Sequence, residues 1–480
     1  MRQRPVVLRC LCILLCSLLF AAASDIPKLL GLGFISSQSP VDENVRVSFT
    51  KASFQNYRLT CYINSAMQSL FATKALVGRL PRIESLDQRE GKAKTAAAFL
   101  EMWKVFSTDK AAIDTTEFVL KDVTRFAPSL QVGSMHDVHE YLKMLLDELD
   151  KEMNRVEPGS QKRLDIPEAE MESLSQLDQG LVAWNQAHLE SNSVISDTFR
   201  GQIASTVSCN CSYESHSFEH SMELILSFPS DREKADQFDL NSLLGAYAAD
   251  EALDGWTCPK CGKKNAKMHR YISKFPDSPA LARFYQDYER DAYLKIQNKV
   301  EFPLQGLDVS ALAGPVRIDP LDDEKQPIYD IFAVINHGGD TVHGHYTAFV
   351  EYGDGMWYDK DDTSSEPVSS SDVVTQKAYI LFYRRRKNGQ TPQPYKEPPS
   401  RPAWKPSADS ASSRLRIPSS SHTTWAGVNP YISVNGATSL EILAELETLR
   451  EQWKLERAEI LQKEESKEED ESIFEDLLGG

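Results

Sequence analysis

Residues 53–70 constrain this chain more than any other stretch, because a polar loop there leads into an apolar-periodic helix that begins at or near Cys61. The sulfur of a cysteine at that position lies among unpaired N–H groups, and the helix dipole favours the negative charge of a thiolate. Asn56, five residues earlier, can direct its side-chain amide toward an oxyanion that forms beside Cys61. A lone cysteine at a helix start is more often a small buried hydrophobic residue than a nucleophile. A second feature must therefore decide between the two interpretations.

That second feature lies far downstream, between residues 329 and 362. Two strand-like runs flank a Gly-rich loop, and a Gly-Asp-Gly turn then starts a third run. His345 starts the second run and Asp361 lies one hairpin later, so neighbouring antiparallel strands can bring the carboxylate against the imidazole. A cysteine, a histidine and an aspartate so arranged are a nucleophile, a base and a residue that orients the base. Asp362 stays open as the alternative orienting residue, because sequence does not separate two adjacent carboxylates.

These motifs resemble those of the ubiquitin-specific proteases, a family of papain-like cysteine peptidases that remove ubiquitin from proteins. The resemblance covers residues 46–386 and rests on the order and spacing of three motifs. They are the Cys motif Asn56-Tyr57-Arg58-Leu59-Thr60-Cys61-Tyr62-Ile63-Asn64-Ser65, the acidic helix motif Asp137-Val138-His139-Glu140-Tyr141-Leu142, and the His motif Gly344-His345-Tyr346, which Trp357 and the pair Asp361-Asp362 follow.

The resemblance implies an α+β fold, the papain-like cysteine peptidase fold with a thumb, a palm and zinc-ribbon fingers, the fingers lying at about residues 199–300. The implied activity is that of a deubiquitinase, which hydrolyses the isopeptide bond between the C-terminal glycine of ubiquitin and a protein lysine. Ubiquitin and ubiquitinated proteins are then the partners. In this interpretation Cys61 attacks and forms an acyl-enzyme, and His345 takes the thiol proton. Asn56 and the backbone N–H of Cys61 stabilise the oxyanion.

Four further residues are expected to bind the substrate. Asp137 and Glu140 lie three positions apart on one helix face, and the resemblance implies that these acids grip basic groups in the ubiquitin tail. The residues by themselves favour a plainer interpretation, a helix-start carboxylate and a solvated glutamate. Gly344 and Tyr346 flank His345 in the His motif, and we expect them to line the same site.

The chain departs from the family pattern at three places. Arg58 stands where the family usually has glycine, and because glycine permits unusual φ values, we expect the loop before Cys61 to follow a different path. Met135 stands where glutamine is common, and the apolar strand within residues 275–284 is shorter than usual. Arg58 keeps a rival interpretation open, a catalytically impaired pseudoprotease that binds ubiquitin as a scaffold.

Four of the eight cysteines form two close pairs. The pairs are Cys209 with Cys211 and Cys258 with Cys261, and four thiolates suit tetrahedral zinc. The second pair has the usual two intervening residues, whereas the first has one, and two disulfides remain the alternative. Such a zinc would be structural, holding together the tips of a β-ribbon that has little core of its own.

The two ends of the chain differ from its middle. Residues 1–24 read as a signal-like hydrophobic leader, with three arginines, an apolar run too short to span a membrane comfortably and a small-residue cleavage site. Residues 387–436 are rich in proline and serine and are predicted to be a disordered linker. Residues 437–463 are predicted to form an amphipathic helix that docks on its own domain or on a protein partner, and residues 464–480 form an acidic tail.

Charge and cysteine usage limit the function classes. The formal net charge of -17 argues against a nucleic-acid binder. The cysteines outside the leader are the candidate nucleophile and the two pairs, which leaves none for a separate disulfide framework. We therefore expect a cytoplasmic or nuclear enzyme, although the leader has the pattern of a secretory signal.

Overall fold

The computed structural model describes residues 49–398 with gaps. The stretches left undescribed within that range are 81–92, 132, 157–163, 165, 230–235, 277–280, 285–294, 319–326, 341–342, 387–389 and 393. The predictions for residues 1–24, 437–463 and 464–480, and most of the predicted linker, therefore lie outside the described residues. Within the described part, no helix is both long and apolar enough to cross a membrane.

Helices dominate the first half of the described chain, and α1, α3 and α6 among them form the thumb. They are α1 (Cys61–Ala72), α2 (Lys74–Val77), α3 (Lys94–Phe106), α4 (Thr116–Phe118), α5 (Thr124–Phe126), α6 (Val138–Glu152), α7 (Glu168–Ser173), α8 (Gln176–Glu190), α9 (Val194–Phe199) and α10 (Leu240–Tyr247). A π-helical segment, Val119–Val123, joins α4 to α5. All 12 residues of α1 are buried, so it is the central helix of the thumb.

Strands dominate the second half. They are β1 (Gly201–Cys209), β2 (Tyr213–Ser221), β3 (Leu224–Leu226), β4 (Gln237–Asp239), β5 (Glu251–Leu253), β6 (Ala266–Lys274), β7 (Leu281–Phe284), β8 (Lys299–Glu301), β9 (Leu307–Asp308), β10 (Ile328–Gly339), β11 (Gly344–Glu351), β12 (Trp357–Asp361), β13 (Ser364–Val368) and β14 (Ala378–Arg385). Short 3₁₀ turns lie at Ser310–Leu312 and Ser370–Asp372.

The palm is an 8-stranded sheet in the order β13-β12-β11-β10-β14-β7-β3, with β9 paired to β10. The fingers are a 4-stranded sheet in the order β2-β1-β6-β5, and β4 pairs with β8 separately. Antiparallel pairing of β10 with β11 and of β11 with β12 places the strands of the His motif side by side. The predicted α+β architecture of thumb, palm and fingers is confirmed.

Two hydrophobic clusters lie on opposite faces of the palm sheet. The thumb helices α1, α3 and α6 pack on one face, where Phe332, Tyr346 and Phe382 belong to the same cluster as the helices. The other face packs with α10 and the base of the fingers, and Trp357 and Tyr383 belong to this second cluster. Alternate strand residues point to opposite faces, so the central strands β10, β11, β12 and β14 contribute to both clusters and fix the thumb relative to the fingers.

Two predicted boundaries need correction. The range 199–300 predicted for the fingers also contains β3 and β7, which pair with each other and extend the palm sheet. The linker predicted from residue 387 is wrong at its start, because Tyr395 packs edge-on against Trp357 with 5.7 Å between ring centroids. The backbone N–H of Lys396 also donates to the carbonyl of Gly355 at 2.7 Å. The proline-rich composition of this segment gave no indication that Tyr395 packs on the folded domain.

Candidate active site

Cys61 is the first residue of α1 and is buried, with 4% of its surface exposed. The turn that leads to it is closed by its own side chains. The N–H of Thr60 donates to Oδ1 of Asn56 at 3.0 Å, and the N–H of Tyr57 donates to Oγ1 of Thr60 at 2.8 Å. These bonds satisfy polar backbone groups ahead of the helix, and they fix the sulfur at the helix N-terminus, as the sequence predicted.

The same turn carries unfavourable backbone angles. Arg58 has φ of 49° and Leu59 has φ of 69°, values that glycine adopts freely and that cost other residues of order 1 kcal/mol or more. Arg58 thus has the kind of conformation that a glycine would supply, so its presence raises the energetic cost of the turn. Leu59 is 45% exposed, an apolar side chain beside the nucleophile.

His345 and Asp361 meet across the β11–β12 hairpin. Nε2 of His345 and Oδ1 of Asp361 are 2.6 Å apart, a charge-assisted hydrogen-bond distance. Both side chains are about half exposed, and they lie at the start of β11 and at the end of β12. The structure therefore favours Asp361 as the residue that orients the imidazole.

Asp362 has a different position. Its Oδ2 is 4.0 Å from Nε2 of His345, and its carboxylate instead accepts from the amide of Asn56 at 2.8 Å and from the amide of Asn64 at 2.8 Å. Asn64 was missed in the sequence, although its place three residues after Cys61 puts it on the nucleophile's helix face. Asp362 therefore ties the Cys61 turn and α1 to the β12–β13 hairpin.

The charge state of Cys61 differs from the prediction. Burial raises the pKa of the Cys61 thiol, and the nearby carboxylate of Asp362 raises it further. The backbone N–H groups of Tyr346, Tyr62 and Cys61 point at the sulfur and act the other way, lowering the pKa. Because burial is the largest effect, the expectation of a stabilised thiolate is wrong for this conformation, and the thiol needs a base.

The acidic helix motif begins α6. Asp137 is the N-cap, and its Oδ1 accepts from the N–H of His139 at 2.7 Å. Its Oδ2 accepts from the hydroxyl of Tyr379 on β14 at 2.6 Å, a contact between thumb and palm that no sequence motif indicates. Glu140 lies exposed in the first turn. Asp137 is thus a helix-start carboxylate and Glu140 a solvated glutamate, as the residues by themselves suggested. The carboxylate of Glu140 remains exposed to solvent.

The His motif is closely packed behind His345. Tyr346 stacks on the ring of His337 with 4.4 Å between centroids and an angle of 23° between the planes. A Cβ on Gly344 would lie 2.0 Å from Nε2 of His337, so this position requires glycine. Burial lowers the pKa of His337 to about 4, helped by the ammonium of Lys295, which keeps the ring neutral. His337 was not predicted, because its β10 context reads as core.

The two cysteine pairs come together at the tip of the fingers. Sγ of Cys209 lies 3.6 Å from Sγ of Cys261, and Sγ of Cys211 lies 3.6 Å from Sγ of Cys258. All four sulfurs lie within 4.8 Å of one another, whereas a disulfide needs about 2.05 Å. Sulfurs about 2.3 Å from a tetrahedral ion lie roughly 3.8 Å apart. The cluster therefore fits a metal ion, and the disulfide alternative is not formed.

Comparison with known proteins agrees with this geometry. The family described as "Ubiquitin carboxyl-terminal hydrolase" matches residues 52–383. Human ubiquitin carboxyl-terminal hydrolase 2 is 31% identical over 349 residues, which cover 69% of this chain and 54% of the relative. Mouse ubiquitin carboxyl-terminal hydrolase 21 is 25% identical over 375 residues, which cover 73% and 64%. This chain thus spans about half of the length of the first relative and somewhat more of the second.

The fold also has counterparts among solved structures. The SAGA Ubp8/Sgf11/Sus1/Sgf73 DUB module bound to ubiquitin aldehyde matches with a TM-score of 0.55 and 18% identity, covering 73% of this chain and 72% of that chain. At this identity the likeness concerns the fold. Because the family match includes Cys61, His345 and Asp361, the chain belongs to the ubiquitin carboxyl-terminal hydrolase family.

Proposed function

We propose that this protein is a deubiquitinase, which hydrolyses the isopeptide bond after the C-terminal glycine of ubiquitin on protein lysines. The observation that carries the proposal is the placement of Cys61 at the start of α1 against the N–H of Tyr346, next to the 2.6 Å pair of His345 and Asp361. Nucleophile, base and orienting carboxylate are thus supplied by elements that the fold holds together. Family membership supports the same reaction.

Each step of the reaction has a residue to perform it. His345 takes the proton from the Cys61 thiol, which burial otherwise keeps protonated, and the sulfur attacks the carbonyl carbon of the terminal glycine. The tetrahedral intermediate collapses as His345 gives its proton to the leaving lysine amine. Water then hydrolyses the acyl-enzyme with His345 as base. Asp361 holds the imidazole in position and stabilises its charged form.

The oxyanion has two donors beside Cys61. The side-chain amide of Asn56 has two N–H groups, and one of them donates to Asp362 at 2.8 Å. The other can donate to an oxyanion, together with the backbone N–H of Cys61. Loss of one such donor typically costs about 2.7–4 kcal/mol of transition-state stabilisation. In this proposal Asp362 positions Asn56 and is not the residue that orients His345.

The ubiquitin tail is proposed to pass between α6 and the palm. Glu140 is exposed there and can pair with basic groups of the tail, whereas Asp137 supports the wall by bonding Tyr379. Gly344 and Tyr346 form the floor beside His345, where any side chain at Gly344 would displace His337. A narrow floor of this kind suits a substrate that ends in small residues.

The test is hydrolysis of a ubiquitin C-terminal amide that carries a fluorescent leaving group, with the same reporter built on other ubiquitin-like modifiers. We expect turnover of the ubiquitin reporter and covalent capture of Cys61 by a ubiquitin suicide probe. Binding of ubiquitin without either reaction would contradict the proposal. Reaction with another modifier alone would change the substrate and keep the chemistry.

We also propose that the four fingertip cysteines hold one structural zinc ion. The four sulfurs have the separation that a tetrahedral thiolate site requires. The local turns support it as well: the N–H of Gly262 donates to the carbonyl of Cys258 at 2.8 Å, and Gly262 has φ of 69°. Metal analysis of protein purified without chelator should give about one zinc per chain; its absence contradicts the proposal.

The place of action is proposed to be the cytosol or nucleus. The five described cysteines are free thiols, and an oxidising compartment would drive neighbouring thiols toward disulfides unless zinc bound first. The leader at residues 1–24 suggests the opposite, so the experiment is to follow tagged full-length protein in cells. Quantitative secretion with a new N-terminus at or near Asp25 would show the proposal to be wrong.

A partner-binding role is proposed for residues 437–463. Their apolar residues recur at helical spacing, which supports an amphipathic helix. A synthetic peptide of this segment should become helical by circular dichroism when a folded partner or its own catalytic domain is added. An unchanged spectrum with the catalytic domain would leave a separate protein as the partner.

A further inference from the structure

Lys360 is the last but one residue of β12, on the side that faces the thumb, with 2% of its surface exposed. Its ammonium donates to the carbonyl of Phe49 at 3.0 Å, to the carbonyl of Ala52 at 3.1 Å and to Oγ of Ser365 at 2.6 Å. The carbonyl of Thr50 lies at 3.5 Å. These acceptors are all neutral oxygens, and three of them belong to one short backbone segment, residues 49–52.

A carboxylate holds the same segment through its N–H groups. Oδ1 of Asp109, in the turn after α3, accepts from the N–H of Lys51 at 2.8 Å and of Ala52 at 2.9 Å. Residues 49–52 therefore lie between an anion that binds their donors and a buried cation that binds their acceptors. Such charge-assisted bonds are stronger than bonds between neutral groups.

The positive charge of Lys360 is energetically unfavourable in its buried position. Burial lowers the pKa of Lys360 to about 7, against the attraction of the carboxylates of Asp109 and Asp354. The rings of Tyr352 and Tyr358 lie 5.3 and 5.4 Å from the ammonium, within the range of a cation–π contact. Buried charges are weak evidence for stability and are better explained by a demand for one geometry.

The arrangement around Lys360 also places the carboxylates of Asp361 and Asp362, the next two residues in the chain. Successive strand residues point to opposite faces, so Lys360 points into the thumb side while Asp361 points the other way, to His345. The N–H of Phe54, two residues beyond the segment, donates to the carbonyl of Asp362 at 3.1 Å. One backbone segment thus connects the Lys360 ammonium to the turn that carries Asn56.

We propose that Lys360 is a positioning residue for the reaction: its ammonium joins residues 49–52 to β12 and thereby sets Asp361 against His345 and Asp362 against Asn56. This inference rests on the proposed function for its kinetic consequence. Its structural content, the placement of the His345–Asp361 pair beside Cys61, is independent of the substrate. No contact between Lys360 and substrate is required, because the residue acts through β12 and the Cys61 turn.

The central variant is Lys360→Met, which keeps the length of the side chain and removes its charge and donors. Lys274→Met is the matched control, because Lys274 is also buried, at 5% exposure, and lies 5.0 Å from the ring of Trp184 in the fingers. We expect Lys360→Met to lower kcat for the ubiquitin reporter by about tenfold or more while KM stays within about twofold. The control should lose stability without this loss of kcat.

A second readout needs no substrate. Alkylation of Cys61 by iodoacetamide, followed on its peptide by mass spectrometry across pH, reports how well His345 and Asp361 support the thiolate. Lys360→Met should move the midpoint of this profile upward by roughly half a unit or more, and Lys274→Met should not. If the parent protein hydrolyses no reporter, the proposed function fails, and the alkylation profile still decides whether Lys360 positions the pair.

A second variant tests the proposal even if Lys360→Met does not fold. Ser365→Ala removes one acceptor of the ammonium and also the hydroxyl that donates to the carbonyl of Thr50. The variant should lower kcat about threefold with KM unchanged. Parent-like kcat and alkylation profile in Lys360→Met overturn the proposal. If Lys360→Met does not fold, parent-like kcat and alkylation profile in Ser365→Ala overturn it.

Discussion

Two turns of this chain present cysteines, and they differ in what holds them. The fingertip turn at Cys258 closes on itself through local backbone bonds and places Gly262 at its left-handed position. The turn before Cys61 places Arg58 and Leu59 in that region instead. Besides its local side-chain bonds, this turn has a partner that is distant in sequence, because Asp362 lies 306 residues from the Asn56 whose amide it binds.

The difference teaches how each turn can be altered. A self-contained turn tolerates changes elsewhere in the chain and depends on its own residues and on the metal. A strained turn persists only when its surroundings over-determine it, and here the surroundings are the hairpin that carries Asp361 and Asp362. The Cys61 turn is thus joined to the other proposed catalytic residues, whereas we expect the fingertip turn to be independent of them.

The largest effect is expected from Cys61→Ala. Turnover of the ubiquitin reporter should fall by at least about 10⁴-fold, because the covalent step is lost. Ubiquitin affinity, measured by calorimetry, should stay near that of the parent, since the substitution removes only a small buried thiol. Equal turnover by mutant and parent would remove Cys61 from the mechanism.

A substitution in the fingertip turn should reduce zinc binding and stability without changing the reactivity of Cys61. Cys258→Ser should reduce bound zinc from about one ion per chain to a small fraction and lower the melting temperature, because metal binding contributes directly to folding of such a site. Alkylation of Cys61 should keep the pH profile of the parent. A changed Cys61 profile would show that the two turns are not independent.

Substitution of Asp361 should lower kcat more than substitution of Asp362. Asp361→Asn should lower kcat by about 10²-fold or more, because the base loses its orienting anion. Asp362→Asn should cost about tenfold, because it loosens the amides of Asn56 and Asn64 without removing the bond to His345. Steady-state kinetics of both variants decide the order, and the reverse order would assign the orienting role to Asp362.

The smallest effects come from exchanging the left-handed residues. Arg58→Gly should stabilise the protein by about 0.5–1 kcal/mol, the relief of strain less the added entropy of the unfolded chain. Gly262→Ala should destabilise it by about 1 kcal/mol through φ alone, since a Cβ there meets nothing within 4 Å. Chemical denaturation measures both. The Arg58 guanidinium lies 5.6 Å from the centre of the Tyr57 ring, and destabilisation by Arg58→Gly would mean that this contact outweighs the strain.

The fold and most of the candidate site residues could be predicted because they lie beside local sequence signals. Cys61, His345 and the four fingertip cysteines each lie beside their own turn or helix-start signal, and their motifs were enough to identify the fold. The pair Asp361 and Asp362 could not be separated, because their roles depend on a left-handed Asp362, with φ of 51°, and on amides from far upstream. The charge state of Cys61 was misjudged, because a helix start is visible in sequence and burial is not.

The residues that sequence missed share one property. The contacts of Tyr379 with Asp137, of His337 with Tyr346 and of Lys360 with residues 49–52 all cross between elements. A lysine in a strand reads as solvent-facing by composition, and nothing nearby in the chain marks it as buried.

The contact between Tyr395 and Trp357 decides where this domain can be cut for expression. Trp357 has 0% of its surface exposed, and Tyr395 also donates its hydroxyl to the carbonyl of Leu304 at 3.1 Å. A recombinant fragment that ended at Arg386, right after the last palm strand, would expose an indole on the strand that bears Asp361. Such a fragment should aggregate more readily and give a less well-ordered catalytic hairpin than one that ends at Pro398. For crystallisation or screening, the functional end of the domain is therefore about a dozen residues beyond the end of its sheet.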